Sequence, residues 1–262
     1  MPVDASGTPP PDTPGAKVRI AAAGDVHCNE STREKTTREF AEIDGTVDLI
    51  LLAGDLTTHG EPDQARVLAD ACRELETPVV AVLGNHDWHV NRADELVAVL
   101  EDAGITMLDR SSVIKSVNGC DVGIVGVKGF VGGFPGCNMP DFGEPSLRAV
   151  YAETGDEVQA LDDGLQEIAT CPMRIALMHY APTSETLEGE AHGIWAFLGT
   201  DRLAHPIAEH RPDLVLHGHA HAGTFQGDVA GVPVFNVSLP VMKRAFWVFE
   251  VAAAARPTTP IH

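Results

Sequence analysis

Aspartate, asparagine and histidine stand at the ends of five short apolar runs of this sequence, in three cases after a single glycine. The residues in question are Asp25 and His27, Asp55, Asn85 with His86 and Asp87, His179, and His217 with His219 and His221. Carboxylate and imidazole ligands without cysteine suit manganese, iron or zinc. A carboxylate has two oxygens, so one aspartate can bridge two ions ~3.5–4 Å apart. These residue types at this spacing predict a metal centre built from five separate segments, with ligands enough for two ions.

The apolar runs themselves predict buried β-strands. They cover 18–23, 47–53, 78–83, 121–127, 173–178 and 213–216, and continuous runs of this kind are typical of layered α/β proteins. In open α/β sheets, ligands bind outside the carboxyl ends of the strands. Side chains two residues apart in an extended segment point the same way. Asp25 should therefore reach the same ion as His27, and His219 the same cavity as His221.

Helical patterns separate these strands. Ser31 and Glu34 have the spacing of a capping box ahead of a helix that ends near residue 43. Pro62 suits the first turn of a second helix, and Gly104 the end of a third. Residues 146–169 have a helical pattern with an expected break near Gly155, and 223–251 an antiparallel pattern. The sequence therefore predicts mixed sheets with a βαβαβ start.

Composition and charge exclude several classes of protein. The chain has 262 residues, a formal net charge of −20 and five cysteines without a CxxC pair. It has no apolar run of the ~20 residues that a membrane span needs, and its charge disfavours long nucleic acid. The odd cysteine count and the lack of a signal-peptide pattern favour the reducing cytoplasm. We expect a disordered Pro-rich tail over 1–16, one domain over 17–251 and a flexible tail over 252–262.

The ordered set GDxH, GD, GNHD, H and GHxH resembles the calcineurin-like metallophosphoesterase family. The resemblance extends from about residue 18 to residue 221, most of the chain. It implies a four-layer α/β/β/α sandwich of two mixed sheets, and a hydroxide between two metal ions that attacks phosphorus. Carried over residue by residue, it implies that Asp25, His27 and His221 bind the first ion, that Asn85, His179 and His219 bind the second, and that Asp55 bridges them.

The same resemblance implies the roles of the neighbouring residues. His86 would be a general acid rather than a ligand, and Asp87 would orient its loop. His59, His89 and His192 are further candidates for contact with the substrate, whereas we expect a structural role for His217. The loops 128–145 and 182–199, both with aromatic residues, are expected to decide specificity.

Departures from the family pattern reduce the range of candidate substrates. Thr58 and His59 stand where the protein phosphatases have an Asp-Arg pair in GDxVDRG. The stretch 54–62 resembles instead the small bacterial phosphodiesterases, which include cyclic-nucleotide phosphodiesterases. We therefore predict hydrolysis of a small phosphodiester, with a phosphomonoesterase, a protein phosphatase or a scaffold subunit without activity as alternatives. Lys128, Lys243 and Arg244 would favour a monoester if the fold brings them to the site.

Overall fold

The computed structural model describes residues 17–253. The predicted disordered tail over 1–16 and the predicted tail beyond residue 253 lie outside the described residues. The last strand reaches Ala252, one residue past the predicted end of the domain. Within the described range, no helix combines the length and the apolar content that crossing a membrane requires.

The first large sheet contains most of the strands from the first half of the chain. Its strands are β1 (Lys17–Ala23), β2 (Leu49–Ala53), β3 (Val79–Val82), β4 (Thr106–Leu108) and β13 (Trp247–Ala252). They lie in the order β13-β1-β2-β3-β4. The four strands β1 to β4 are parallel, and β13 is antiparallel to β1. This confirms the predicted βαβαβ start.

The second large sheet has parallel strands in its centre and antiparallel strands at both edges. It contains β5 (Ser111–Val117), β6 (Cys120–Gly126), β9 (Met173–Leu177), β10 (Leu214–His217), β11 (Gln226–Val229) and β12 (Val232–Asn236). A separate small hairpin is formed by β7 (Gly133–Phe134) and β8 (Cys137–Asn138). The order is β11-β12-β10-β9-β6-β5. The antiparallel pattern predicted for 223–251 is found between β11 and β12, but β12 runs parallel to β10.

Helices cover both sheets. They are α1 (Arg33–Ile43), α2 (Pro62–Cys72), α3 (Ala93–Asp102), α4 (Pro145–Glu167), α5 (Trp195–Leu198), α6 (Ala204–His210) and α7 (Leu239–Met242). Helices α1 to α3 share one core with the first sheet, whereas α4 packs with α6 against the second. Along β9, Ile175 belongs to the first core and Ala176 to the second. The second sheet is thus buried on both faces, and the predicted α/β/β/α sandwich is confirmed.

Two local predictions were wrong. The capping box is formed by Asn29 and Thr32, not by Ser31 and Glu34, because a single turn of 3-10 helix precedes α1 and moves the cap towards the N-terminus. The break near Gly155 is absent, since α4 is continuous from residue 145 to residue 167. A helical glycine costs about 1 kcal/mol relative to alanine, and the burial of the inner face of α4 outweighs that cost.

The carboxyl ends of five parallel strands meet at one edge of the sandwich. The loop after β1 is tied to the loop after β2, because the Asp25 amide donates to the Gly54 carbonyl at 3.0 Å. It is tied to the second sheet as well, because the His219 amide donates to the Asp25 carboxylate at 2.9 Å. These bonds bring the polar loops of both sheets together at one place.

Candidate metal centre

Three overlapping groups of ligand-type side chains lie at this edge. They consist of Asp25, His27 and His221; of His27, Asp55 and His86; and of Asp55, His179 and His219. Within each group the potential ligand atoms all lie within 4.8 Å of one another. The first and third groups have the same members as the two ligand sets that the resemblance implies, apart from Asn85. The Oδ1 atom of Asn85 lies 2.9 Å from the Nε2 atom of His179, beside the third group.

Asp55 is the carboxylate that the second and third groups share. Its Oδ2 atom lies 3.9 Å from the Nε2 atom of His27, and its Oδ1 atom lies 3.3 Å from the Nε2 atom of His179. The His86 amide donates to Oδ1 at 2.8 Å and fixes the orientation of the carboxylate. The two oxygens therefore face opposite halves of the site, which is the arrangement that a bridging ligand needs.

The outer ring nitrogen of four histidines meets a main-chain carbonyl. The pairs are His27 Nδ1 with Thr57 O at 3.3 Å, His86 Nδ1 with Thr58 O at 2.8 Å, His179 Nδ1 with Ala53 O at 2.9 Å, and His219 Nε2 with Phe197 O at 3.1 Å. A carbonyl only accepts, so the facing nitrogen must carry the hydrogen. In a neutral imidazole the other nitrogen then keeps its lone pair. Four imidazoles are thus held in the tautomer that a metal ligand requires.

His217 differs from these four histidines. It is fully buried, and both of its ring nitrogens have hydrogen-bond partners, the Gly218 carbonyl and the Thr186 hydroxyl. Burial lowers its pKa to about 4, so the ring is neutral. No ring nitrogen is left to bind an ion, which supports the structural role predicted for it.

The charges and backbone of the site fit a bound cation. Asp25 and Asp55 are buried, and within the described residues their ion-pair partners are histidines rather than lysine or arginine. Burial lowers the pKa of His219 to about 3, so that imidazole adds no charge. A buried carboxylate is costly unless a positive charge compensates it. Asp25, His27, Asp55 and His219 also have left-handed backbone, with φ between 48° and 71°, a strain typical of functional sites.

Asp87 holds two loops together and does not face the site. It is fully buried and accepts hydrogen bonds from the amides of Leu56, Thr57 and Gly84 and from the Thr57 hydroxyl. Burial raises its pKa to about 6 despite these bonds. Because Asp87 joins the loop of Asp55 to the loop of His86, we interpret it as a positioning residue, as the sequence suggested.

The three further histidines lie in different places. His89 lies next to His86, with ring centroids 4.3 Å apart, and His59 lies 6.3 Å from His89. His89 therefore stands beside the general-acid candidate, and His59 lies beside His89. The tilted rings of His192 and Trp195 have centroids 4.8 Å apart, and among the described residues His192 belongs to none of the three ligand groups.

A cavity of about 390 Å³ lies beside Asn85, and several of its walls were not predicted. It is lined by Asn85, Trp88, Lys128, Phe130, Glu153 and Tyr180. Behind it, the buried Glu157 lies 3.9 Å from the Lys128 ammonium and accepts from Arg110 at 3.0 Å. Two signals were present in the sequence. Tyr180 follows His179 directly, and Glu157 is in helical phase with the apolar residues Leu161 and Leu165.

Known proteins match this chain in family and in fold. A model of the calcineurin-like phosphoesterase family matches residues 18–223. Among solved structures, the chain is similar to phosphopantetheinyl hydrolase (PptH) from Mycobacterium tuberculosis, with 16% identity, a TM-score of 0.67, and coverage of 95% of this chain and 100% of that one. It is also similar to a putative 5'-nucleotidase from Staphylococcus aureus, with 12% identity, a TM-score of 0.54 and coverage of 94% and 56%.

A third similar structure is GAP50, the anchor in the inner membrane complex of Plasmodium, with 14% identity, a TM-score of 0.53 and coverage of 86% and 72%. At these identities the likeness shows a shared fold. No curated protein sequence matches the chain.

Replacing Asp55 with alanine should reduce binding at both ion positions, because its carboxylate is shared between the two ligand groups. His27→Ala should weaken chiefly one position, and His89→Ala should leave both intact. The measurement is the number of manganese equivalents retained by each folded variant after dialysis, determined by elemental analysis. If Asp55→Ala retains two full equivalents, the bridging assignment is wrong.

Proposed function

Because this chain belongs to the calcineurin-like phosphoesterase family, we propose that it hydrolyses small phosphodiesters, cyclic nucleotides among them, with two bound metal ions. The observation that carries the proposal is the pair of carboxylate–imidazole groups that face the two oxygens of Asp55, with His86 beside them. The family makes the chain a metal-dependent phosphoester hydrolase. The choice of a diester rests on the charges around the site.

The proposed ligands of the two ions are the members of the first and third groups, with Asn85 added to the third. Asp25, His27 and His221 would hold one ion, Asn85, His179 and His219 would hold the other, and Asp55 would bridge them. Lewis-acid stabilisation of phosphate charge and a water nucleophile of lowered pKa are the chemistry that two bound ions would supply. Manganese, iron and zinc all suit this ligand set.

His86 is the proposed general acid. Its Nδ1–H donates to the Thr58 carbonyl, so a second proton would be carried on Nε2. That atom lies 3.8 Å from the Oδ2 atom of Asp55, within the site. About one third of the side chain is exposed, so the ring can reach a substrate. Transfer of the Nε2 proton to the departing oxygen would remove the need for an alkoxide leaving group.

The charges beside Asn85 favour a diester over a monoester. Lys128 lies at the cavity, but Glu157 and Glu153 stand against it, and Arg110 completes a network of two cations and two carboxylates. Burial lowers the pKa of the Lys128 ammonium, and the nearby carboxylates oppose that effect. A dianionic monoester would need positive charge that this balanced network does not provide, whereas a diester carries a single negative charge.

Lys243 and Arg244 are the cations that would favour a monoester instead. They line a second cavity, of about 440 Å³, together with Asp25, Lys35 and Glu39. Both side chains are exposed, and the Arg244 guanidinium lies over the Trp247 ring. The named similar structures, a phosphopantetheinyl hydrolase and a putative 5'-nucleotidase, support the phosphoesterase fold without favouring either class of ester.

A cytoplasmic location is part of the proposal. Its support is that all five cysteines are free thiols and that four of them are buried. Burial raises the pKa of the Cys28 thiol to about 12, so this group is inert rather than reactive. The proposed partner is a small phosphoester rather than long nucleic acid, because the net charge of −20 repels polyanions.

His86→Ala should lower kcat by ~100- to 10,000-fold while both metal equivalents are retained. The loss should be largest for substrates with poor leaving groups, which need the proton, and smallest for p-nitrophenolate. His205→Ala is the control, since this exposed imidazole on α6 belongs to none of the three ligand groups. An equal loss for all leaving groups would mean that His86 acts by charge or position instead of by proton transfer.

With manganese, kcat/KM should be higher for bis(p-nitrophenyl) phosphate than for p-nitrophenyl phosphate. The two substrates have the same leaving group but differ in phosphate charge and in the second ring of the diester. Methyl p-nitrophenyl phosphate, which lacks that ring, isolates the effect of charge. A clear preference for the monoester would contradict the phosphodiesterase proposal. Lys243→Ala and Arg244→Ala would then show which cation binds the second negative charge.

A further inference from the structure

Three of the six residues that line the cavity beside Asn85 are aromatic. Trp88, Phe130 and Tyr180 form its walls, and the Phe130 and Tyr180 rings meet edge to face with centroids 5.8 Å apart. The Trp88 side chain is 42% exposed although it is large and apolar. A volume of about 390 Å³ is within the range of small-molecule sites. Such walls suit a flat ring.

The cavity adjoins the third ligand group, which contains Asp55, His179 and His219. Asn85 lines it, and the Tyr180 ring lies 4.5 Å from the His219 ring and 5.5 Å from the His179 ring. His86 belongs to the other side of the site, because its ring packs against His27 at 4.6 Å. The leaving group of a diester faces the general acid. With the leaving group at His86, the cavity beside His179 and His219 is available to the substituent that stays on phosphorus.

Lys128 supplies a polar contact within these walls. Its ammonium lies 4.2 Å from the centroid of the Phe130 ring and donates one hydrogen bond, to the Gly129 carbonyl at 2.9 Å. Glu157 is 3.9 Å away, which is too far for a hydrogen bond. An ammonium has three donors, so others remain for an acceptor on a ligand. Because Glu157 balances the charge, the preferred ligand group is neutral.

We propose that this cavity binds the retained substituent of the phosphodiester and selects a neutral aromatic ring there, with Lys128 donating to an acceptor on the ring. The inference rests on the proposed phosphodiesterase function and specifies its substrate class. A nucleobase and a simple aryl group share the required flat shape. A nucleobase also has carbonyl or ring-nitrogen acceptors, so the two sources can be separated by experiment.

The test uses three diesters with a common p-nitrophenyl leaving group and different retained substituents: methyl, phenyl and thymidine 5'-yl. The manganese-loaded enzyme should show a kcat/KM at least ~10-fold higher for one or both ring esters than for the methyl ester, as stacking on aromatic walls predicts. Phe130→Ala should reduce that ratio to about one, and an unchanged circular dichroism spectrum and thermal midpoint report that the variant folds. Phe142→Ala, an exposed aromatic residue outside the cavity, is the matched control.

The comparison of the phenyl and thymidine esters shows whether the cavity prefers a nucleobase or a simple aryl group. Preference for the thymidine ester that is reduced by Lys128→Met indicates a nucleobase, and preference for phenyl alone indicates an aryl group. Equal kcat/KM values for all three diesters would overturn the inference. So would a ring preference that survives Phe130→Ala, because the ring would then bind elsewhere.

Failure of the phosphodiesterase proposal has a different signature. In that case the enzyme cleaves p-nitrophenyl phosphate and none of the three diesters. The cavity is then tested on the metal-free full chain, by titration with thymidine and observation of tryptophan fluorescence. Saturable quenching that is lost in Trp88→Phe and in Phe130→Ala supports the cavity as a ring site. Absence of saturable quenching in the unsubstituted chain overturns it.

Discussion

The site depends on the packing of backbone around the Asp55 carboxylate. A Cβ atom on Gly84 would lie 2.2 Å from the Oδ1 atom of Asp55, and one on Gly54, at φ 82°, would lie 2.6 Å from the His179 ring. Only glycine allows β2, β3 and the loop after β9 to approach so closely. This contact brings the ligand groups of the two sheets within reach of one carboxylate. A side chain at either glycine would move the two halves of the site apart.

The same closeness explains why the site should be more stable with metal than without it. Asp25 and Asp55 are buried among histidines, and the His179 and His219 rings lie 4.7 Å apart. Carboxylates in such surroundings repel one another unless a cation lies between them. Main-chain hydrogen bonds and residues with left-handed backbone hold these carboxylates in place. The free-energy cost of the repulsion and of the backbone strain is offset by packing in the rest of the sandwich. A bound cation therefore stabilises the folded chain as well as providing chemistry.

The fold and the groups at its edge could be predicted because their signals are local. Asp55 and His179 follow apolar runs, and position at a strand end does not depend on distant residues. The charge network behind the cavity could not be predicted in this way. Lys128, Glu157 and Arg110 come from three segments, and their charge balance exists only once α4 has packed on the second sheet. Glutamate is usually exposed in proteins. Glu157 has a role in balancing charge because it is buried beside these cations.

The central claim is that one carboxylate, Asp55, joins two metal ions. Crystals of the manganese-loaded protein, measured at the manganese absorption edge, test it most directly. Two anomalous peaks are expected ~3.5–4 Å apart, each in contact with one Asp55 oxygen. A single peak, or two peaks that do not share Asp55, would contradict it.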